Sequence, residues 1–334
     1  MLLRYKVRVL SPLETPLMSD TLFGHFCWGL RYMEGERFLE DFLGRFGGGR
    51  KAPVLFSSAF PAGMIPRPEL PPPERSVIVS FAREKAGDDR GQLLKALQKA
   101  RGILRQNYIS VSAWQRIKEG LSWLSMLSLL WKDGAKGDEL EPVEEITQSN
   151  VINRLSDSVS QEGGLFTRTK SWYPKDSSLE FYTAVGDSAL LPVMEKVLLE
   201  YIPGTGFGAD KSIGMGRLAV ERDTSFAPAA LECPGANARL LLSMAAFDGL
   251  ERHEAYYRLK TKYGKLGGGF AAASPTGGDP RPFKKPVLMY EPGAVVLTTD
   301  ALDAADLLRG VHTDARICHC GIPLSIPFRW VMEA

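Results

Sequence analysis

A glycine-rich segment between residues 201 and 218 carries the side chains best suited to bind a charged ligand. Its sequence, Tyr-Ile-Pro-Gly-Thr-Gly-Phe-Gly-Ala-Asp-Lys-Ser-Ile-Gly-Met-Gly-Arg-Leu, holds five glycines together with Lys211 and Arg217. Glycine allows a positive φ angle and has no Cβ, so consecutive backbone N–H groups can approach a phosphate closely. Lys211 and Arg217 would then neutralise the phosphate charge. A surface turn without a ligand is the alternative, because turns of this composition are common.

Two well-known phosphate-binding motifs do not fit this segment. A P-loop requires Gly-x4-Gly-Lys-Ser/Thr before a helix, whereas Lys211-Ser212 follows Ala209-Asp210 and precedes a strand-like run, 213–220. A dinucleotide fingerprint requires a strand before its glycines and a helix after them. Here the order is reversed, since residues 187–201 have a helical pattern. The segment is therefore predicted to be a glycine-rich loop between a helix and a strand.

His25 is the residue that could support catalysis. Metal-independent RNA cleavage needs a His near the 2′-hydroxyl, usually with a second acid or base in reach. Near His25 the sequence offers only Asp20, which together with Ser19 we expect to cap the first helix. The other histidines, at 253, 312 and 319, lie in separate predicted strands or loops. An RNA contact or a surface role for His25 is therefore favoured over catalysis.

The acidic residues and cysteines do not predict a metal site. Glu144-Glu145 and Asp88-Asp89 are adjacent in sequence, so their side chains point apart rather than converge on two metal ions. Cys318-His-Cys320 lacks a zinc spacing, and neighbouring residues of a strand point to opposite faces. The four cysteines of the chain form no recognisable disulfide framework. We expect neither a metal nor another cofactor.

The composition is that of a globular protein, and we expect it to reside in the cytoplasm. Of its 334 residues 44% are hydrophobic and 24% charged, and no apolar run reaches the roughly 18 residues of a membrane span. The N-terminus lacks the continuous apolar core of a signal peptide. A net charge of +2 is low for a nucleic-acid-binding protein, so local basic clusters would be required. Such clusters occur at Arg4/Lys6/Arg8, at Arg258/Lys260/Lys262/Lys265 and at Arg281/Lys284/Lys285.

The first half of the chain shows strand and helix patterns in alternation. Residues 2–10 alternate apolar and basic side chains, which is typical of a strand buried on one face. A helix is predicted from Ser19 to about Tyr32, resuming through 38–46. The proline-dense segment 53–80 favours short strands and loops. An α+β fold follows from this order.

Helical and strand patterns continue through the middle of the chain. Residues 91–106 and 113–132 have helical periodicity, the second with a wide apolar face. Strand patterns return over 144–185, with Glu162-Gly-Gly as the turn of a hairpin. After a link at 228–234, a second unit is predicted with strands at 238–246, 255–262, 286–290, 294–297 and 317–322 and a short helix at 303–308.

Five segments resemble the RAMP superfamily, whose members are the RNA-binding subunits of CRISPR effector complexes. Residues 203–217 resemble the G-rich loop of these proteins, and residues 18–28 resemble their first-helix signature. Residues 153–168 resemble the thumb hairpin that such subunits lay across guide RNA. Residues 284–296 and 321–328 resemble the C-terminal half of the subunit that holds the 5′ tag of the CRISPR RNA (crRNA) in the type III-A, or Csm, complex.

The resemblance implies two ferredoxin-like (RRM-like) RAMP domains. The first, 1–227, would contain a helical insertion at 91–132, the thumb hairpin at 150–172 and the G-rich loop at 203–217. The second, a degenerate ferredoxin-like domain, would span 235–334.

The resemblance also implies where RNA would bind. Phe207 would either line the RNA or plug the core, since burial is usual for Phe. The hairpin places Leu165-Phe166 between basic residues, which suits splayed bases and a phosphate backbone, although an ordinary solvated hairpin would have the same turn. The RNA-binding residues expected on this basis are Thr21, His25, Asn153, Arg154, Leu165, Phe166, Thr167, Arg168, Gly206, Phe207, Gly208, Lys211, Ser212, Gly214, Arg217, Arg281 and Lys284.

The function that the resemblance implies is that of a non-catalytic scaffold. Such a subunit would bind the 5′ tag of crRNA, dock the large palm-domain subunit and contact the backbone RAMP subunits of the same complex. Two alternatives stay open. One is a metal-independent endoribonuclease that processes crRNA with His25 as its base, and the other is the equivalent subunit of a type III-B complex.

Overall fold

The computed structural model describes most of the chain. The described residues are 1–71, 73–87, 89–133, 141–150, 152–153, 158–159, 165–247, 249–271 and 282–331. Arg154, Arg281 and the Glu162-Gly-Gly turn lie outside them. The fold mixes helices with several small antiparallel sheets, as the sequence predicted. None of the helices that the structure describes is both long and apolar enough to span a membrane.

The N-terminal part begins with the predicted strand and helix. The strand's buried residues Leu3, Tyr5 and Val7 alternate with basic ones, which fixes the face that meets the core. Ser19 and Asp20 form the first turn of the helix rather than its cap, because the N-cap is Met18 and makes no side-chain capping bond. The elements of this part are β1 (Leu2–Val9), α1 (Ser19–Glu34), α2 (Glu36–Leu43), β2 (Val54–Phe56), β3 (Phe60–Pro61) and β4 (Met64–Pro66).

A helical region follows and begins earlier than the sequence predicted. Its first helix starts at Arg75, directly after the prolines at 71 and 73, within a segment that we expected to lack helix. The prolines stop helix formation only up to their own positions, so Arg75 onward is free to be helical. The elements are α3 (Arg75–Ala86), α4 (Arg90–Arg105), β5 (Tyr108–Ser110), α5 (Val111–Ile117) and α6 (Trp123–Asp133).

Strands then lead to the glycine-rich loop. A long hairpin precedes the strand that returns to the N-terminal sheet, and a helical stretch precedes the loop. That stretch includes a π-helical turn at Val197–Tyr201. The elements are β6 (Val143–Asn150), β7 (Ile152–Asn153), β8 (Ser158–Val159), β9 (Leu165–Trp172), β10 (Leu179–Val185), α7 (Leu191–Lys196), α8 (Ile202–Thr205) and β11 (Leu218–Arg222).

The N-terminal sheet has the order β11-β1-β10-β2, and all of its pairs are antiparallel. Strand β3 also pairs with β10, beside β2. The loop therefore enters the sheet at the edge formed by β11, whereas β2 and β3 lie at the opposite edge. Helix α1 packs on this sheet through Phe26, whose ring meets those of Phe42 and Phe56 edge to face.

The C-terminal part consists mainly of short strands in two sheets, with orders β14-β17-β12-β18 and β13-β16-β15. The predicted helix at 303–308 is wrong, and 317–322 forms only a single bridge between His319 and Leu308 instead of a strand. The edge strand of the first of these sheets is instead Ser325–Phe328, whose buried Ile326 and Phe328 face the core. The strands are β12 (Ala238–Leu241), β13 (Ala245–Ala246), β14 (Ala255–Tyr256), β15 (Leu259–Lys262), β16 (Val287–Tyr290), β17 (Val295–Val296) and β18 (Ser325–Phe328).

The main hydrophobic core includes residues from both parts of the chain. Tyr5 and Phe26 belong to the same buried cluster as Leu240, Val295 and Phe328. A polar contact also joins the two parts, since the Met244 N–H donates to Ser19 Oγ at 2.9 Å. Loop positions in the N-terminal part are consequently held against a common core rather than against a separate domain.

Candidate nucleic-acid interface

The backbone of the glycine-rich loop adopts the conformations that glycine was predicted to permit. Gly206, Gly208, Gly214 and Gly216 all have positive φ angles, between 68° and 90°. Asp210, with φ 54°, is the one non-glycine residue with a positive φ among the residues that the structure describes. The loop therefore reverses direction several times between the end of α8 and the start of β11.

Most N–H groups of this loop donate to acceptors within the protein. Four consecutive amides, which we expected to face a phosphate, are occupied in this way. The Gly206 N–H donates to Ile202 O at 2.9 Å, and the Phe207 N–H donates to Gly216 O at 2.8 Å. The Gly208 N–H donates to His25 Nε2 at 3.0 Å, and the Ala209 N–H donates to Thr15 Oγ1 at 3.1 Å. These four N–H groups are therefore not free to approach a phosphate.

His25 supports the loop from helix α1. Its Nε2 accepts the Gly208 N–H, and its ring stacks on Phe207 with centroids 4.4 Å apart. Burial, together with the nearby Lys211 charge, lowers the pKa of His25 to about 4. The imidazole is therefore neutral at pH 7, with the proton on Nδ1. Phe207 itself lies in the core at 1% exposure, which is the second of its two expected roles.

The tip of the loop is the part that faces solvent. Lys211, Ser212, Gly214 and Arg217 are all exposed. Ile213 is 70% exposed between them, which is unusual for a large apolar side chain. A Cβ at Gly214 would meet no atom within 4 Å, whereas a Cβ at Gly208 would stand 2.7 Å from Thr15 Cβ. The tip thus presents two cations and an open glycine to a ligand.

The hairpin formed by β6 and β9, here called the thumb hairpin, has two different faces. Directly opposed residues of an antiparallel pair share a face, and the register pairs Ser149 with Phe166 and Thr147 with Arg168. Phe166, Arg168, Lys170 and Trp172 consequently lie on one face, which we call the basic–aromatic face. The Arg168 guanidinium lies 5.0 Å from the centre of the Phe166 ring. Two cations thus lie between two rings on this face, with Glu145 opposite Lys170. Rings and cations together suit a single-stranded RNA, whose bases stack while its phosphates pair.

The other face of the thumb hairpin carries apolar and polar side chains, with no lysine or arginine among the residues that the structure describes. It carries Leu165, 74% exposed, and Ile146, 70% exposed, along with Thr167. Asn153 belongs to the short pair β7–β8, opposite Ser158. Leu165 and Thr167 were expected to bind RNA together with Phe166 and Arg168, but the pleat places the two pairs on opposite faces.

One ion pair joins the thumb hairpin to the glycine-rich loop. Arg168 Nη1 lies 2.6 Å from Asp210 Oδ2, and Glu14 Oε1 lies 3.9 Å from Arg168 Nε. Burial and the adjacent Asp210 carboxylate raise the pKa of Glu14. The base of the hairpin is also fixed, since Leu13 and Ser171 exchange two backbone hydrogen bonds of 3.0 and 2.8 Å. The two predicted RNA-binding regions therefore meet in the folded chain.

A connector at residues 10–18 completes this arrangement, and it was not among the sites predicted from the sequence. Ser11 Oγ accepts the Arg217 N–H at 2.8 Å, and Thr15 Oγ1 accepts the Ala209 N–H. The Pro12 carbonyl accepts the Gly216 N–H at 2.9 Å. The Ser-Pro and Thr-Pro pairs at 11–12 and 15–16 are the signal that could have identified the connector, because short hydroxyl side chains in turns often accept backbone N–H groups.

The surroundings of Lys284 and Thr21 differ from those of the exposed loop tip. The Lys284 ammonium donates to the Cys318 carbonyl at 2.7 Å, and burial lowers its pKa. The expected RNA contact by Lys284 therefore has no support in this structure, because its charge points into the protein. Thr21 is half-buried on α1, one turn before His25.

Two of the expected basic clusters are partly neutralised within the protein. Arg4 pairs with Asp223 at 2.6 Å, and Arg258 pairs with Glu69 at 3.0 Å. Lys262 Nζ lies 3.1 Å from the buried Asp20, which explains why that carboxylate is not a helix cap. Among the described residues no three His, Cys, Asp or Glu side chains are grouped so that they could hold a metal ion.

Comparison with solved structures identifies proteins of the same fold. No known family profile and no curated protein sequence matches the chain. A crystal structure of a Csm3–Csm4 subcomplex of the type III-A CRISPR-Cas interference complex matches with a TM-score of 0.60 at 13% identity, over 98% of this chain and 99% of that one. Crystal structures of a Csm1–Csm4 cassette with AMPPNP and with pppApA match with TM-scores of 0.56 and 0.55 at 14% and 13% identity, each over 99% of both chains.

These matches confirm, at the level of the fold, the resemblance that the sequence motifs indicated. They extend over nearly the whole length of both chains, so the fold similarity includes the C-terminal strands as well as the N-terminal sheet. Csm4 is the component that the two kinds of structure have in common.

Proposed function

We propose that this chain is a non-catalytic RNA-binding scaffold subunit of a type III-A CRISPR effector, which holds the 5′ tag of crRNA. The observation that carries the proposal is the junction of the glycine-rich loop with the thumb hairpin. Lys211 and Arg217 are exposed on the glycine-rich loop. Asp210 of the same loop forms an ion pair with Arg168, which belongs to the basic–aromatic face. Such a surface offers phosphate pairing and base stacking together, which single-stranded RNA requires.

The proposed division of labour differs from a cradle of backbone amides. The amides of 206–209 hold the loop in shape, while side chains of the tip and of the hairpin would contact the RNA. Gly214 would let the RNA backbone approach closely, because no side chain stands there. This arrangement would read the position of the RNA end rather than its full sequence.

A ferredoxin-like N-terminal domain is part of the proposal. The chain order β1, α1, β2, β10, α7, β11 with the sheet order β11-β1-β10-β2 supports it. The helical region and the thumb hairpin would be insertions between β2 and β10. The C-terminal strands would form the second, degenerate unit, although they share the main core with the first.

The alternative of a crRNA-processing endoribonuclease has less support. A general base must accept a proton from the 2′-hydroxyl, but the acceptor nitrogen of His25 already receives the Gly208 N–H. A pKa of about 4 also makes His25 a weak base. We propose that His25 positions the loop and does not cleave RNA.

The proposed partners follow from the fold matches. Csm3 and Csm1 accompany Csm4 in the structures that this chain resembles. By analogy, this chain would dock a large palm-domain subunit and a backbone RAMP subunit in the cytoplasm. The type III-A assignment is preferred to type III-B because the Csm3–Csm4 match is to a type III-A complex.

The proposal is tested by replacing Lys211 and Arg217 with Ala. Two lost phosphate contacts should weaken binding to single-stranded, tag-bearing RNA and lower the salt slope of log K by about 1.4. The measurement is a salt titration of RNA affinity with the full chain. Lys175→Ala with Lys196→Ala removes the same charge from exposed sites elsewhere and serves as the control. An unchanged slope in the Lys211/Arg217 variant would contradict the proposal.

A further inference from the structure

The positive charge of this chain is concentrated in helices α3 and α4. Residues 75–105 contain eight Lys and Arg residues against Glu84, Asp88 and Asp89, a net charge of +5. Since the whole chain carries +2, the remaining residues together carry −3. Helix α4 alone holds five basic residues and no acidic one. This region, and not the proposed tag site, therefore dominates the electrostatic attraction of the protein for a polyanion.

Three of the five basic residues of α4 belong to a continuous exposed stripe. Arg90, Leu94, Gln98, Arg101 and Arg105 follow one another at intervals of three or four, so they share one side of the helix. All five are exposed, whereas Ala96, Ala100 and Ile103 bury the opposite side. At 1.5 Å per residue the stripe is about 22 Å long. We call it the α4 basic face.

The arginines of the α4 basic face are not neutralised by the fold. Within the part of the chain that the structure describes, no carboxylate lies within 4.0 Å of Arg90, Arg101 or Arg105. The contrast with Arg4 and Arg258, which are paired with Asp223 and Glu69, is direct. Unpaired guanidinium groups in a row repel one another, and the binding of an anionic ligand lowers this repulsion.

We propose that the α4 basic face is a second RNA-binding surface, which holds the phosphate backbone of a single strand without reading its sequence. A protein partner is less well matched, because the cores of protein interfaces are enriched in aromatic side chains. The stripe carries three arginines and no aromatic residue. Interfaces with nucleic acid are in contrast strongly positive and polar.

The α4 basic face lies on a different element from the glycine-rich loop and the thumb hairpin, and its C-terminal end approaches the start of the hairpin, because Asn107 Nδ2 donates to Glu141 Oε1 at 3.1 Å. The glycine-rich loop enters the N-terminal sheet at β11, while β2 and β3 form the opposite edge and lead through β4 to the helical region. Three strand spacings amount to about 14 Å across that sheet. The second surface would therefore contact a different part of the RNA from the part at the glycine-rich loop, and its existence does not depend on the proposed role of the loop.

The test uses the full chain with Arg90, Arg101 and Arg105 all changed to Gln. Glutamine is a good helix former, so α4 should keep its structure, and circular dichroism checks this. The probe is a single-stranded RNA of mixed sequence without a tag. Three lost phosphate contacts should lower its affinity about 10-fold at moderate salt and reduce the salt slope by about 2. The control, Arg37→Gln with Lys196→Gln and Arg309→Gln, removes the same charge from other exposed positions.

The outcomes separate this inference from the proposed function. An effect of the α4 variant that exceeds that of the control supports the second surface, whatever the Lys211/Arg217 variant does. Equal loss in both triple variants would mean a general effect of net charge and would overturn the inference. Unchanged RNA affinity combined with poorer co-purification of partner proteins would assign the α4 basic face to a protein contact instead.

Discussion

The glycine-rich loop and the thumb hairpin use opposite means to present side chains to a ligand. The loop is tied to helix α1 by His25 and to the connector by Ser11 and Thr15, so its shape is set by the surrounding protein. The hairpin is paired mainly with itself and leaves Leu165 74% exposed. A fixed loop can set the position of an RNA end, whereas an exposed hairpin can cover a length of strand. The Arg168–Asp210 ion pair keeps the two in register.

The largest effect should come from shortening the thumb hairpin. Deleting residues 148–167 and joining Thr147 to Arg168 through Asn-Gly keeps the register and the Arg168–Asp210 pair. We expect a folded protein with a melting temperature close to that of wild type, because the described strands of the deleted segment pair with one another. Binding of tag-bearing RNA should fall at least about 10-fold through lost stacking, measured by fluorescence anisotropy.

A comparison of the two hairpin faces makes this prediction sharper. Phe166→Ala with Lys170→Ala removes a ring and a cation from the basic–aromatic face, and Leu165→Ala with Thr167→Ala changes the opposite face. We expect the first pair of substitutions to weaken RNA binding more than the second pair. Equal losses from both faces would indicate that RNA wraps the hairpin. No loss from the shortened hairpin would remove its outer part, including Phe166, from the site.

A smaller effect should distinguish two glycines of the loop. A Cβ at Gly216 would collide with the Phe207 carbonyl, so Gly216→Ala should destabilise the protein by about 1–3 kcal/mol. Gly214 faces open space in a left-handed conformation that Asn tolerates. Gly214→Asn should therefore leave stability nearly unchanged but weaken RNA binding by obstructing close approach. Thermal melting and RNA titration of both variants check the contrast.

The reverse pattern would contradict the assignment of the tip. If Gly214→Asn bound RNA as well as wild type while Gly216→Ala lost both stability and binding, the loop would be a structural element only. RNA contact would then have to be assigned to the thumb hairpin alone.

Local signals in the sequence predicted a large part of this fold. The alternation in residues 2–10 predicted β1, and the glycine spacing predicted a loop with positive φ angles between a helix and a strand. These features depend on neighbouring residues, which is why they can be recognised without a structure. Strand patterns over 144–185 also predicted the thumb strands, since β6 begins at Val143, whereas the resemblance had placed the start of the thumb hairpin at residue 150.

Partners distant in sequence were the part that could not be predicted. Asp20 pairs with Lys262 and Lys284 donates to Cys318, and neither pairing follows from local spacing. The same is true of the amides of the loop, whose acceptors lie on α1 and on the connector. Long-range contacts therefore decide which cations remain free for RNA, and the α4 basic face became visible only after they were known.

The most direct test of the central claim is to map the contacts of the RNA tag on the full chain. A crRNA with 4-thiouridine placed within the tag would be crosslinked by light in the assembled complex, and the modified peptides would be sequenced by mass spectrometry. The account predicts crosslinks to peptides that contain 165–172 and 211–217. Crosslinks confined to other parts of this chain, or to other subunits only, would contradict the claim that the loop and the thumb hairpin together hold the RNA end.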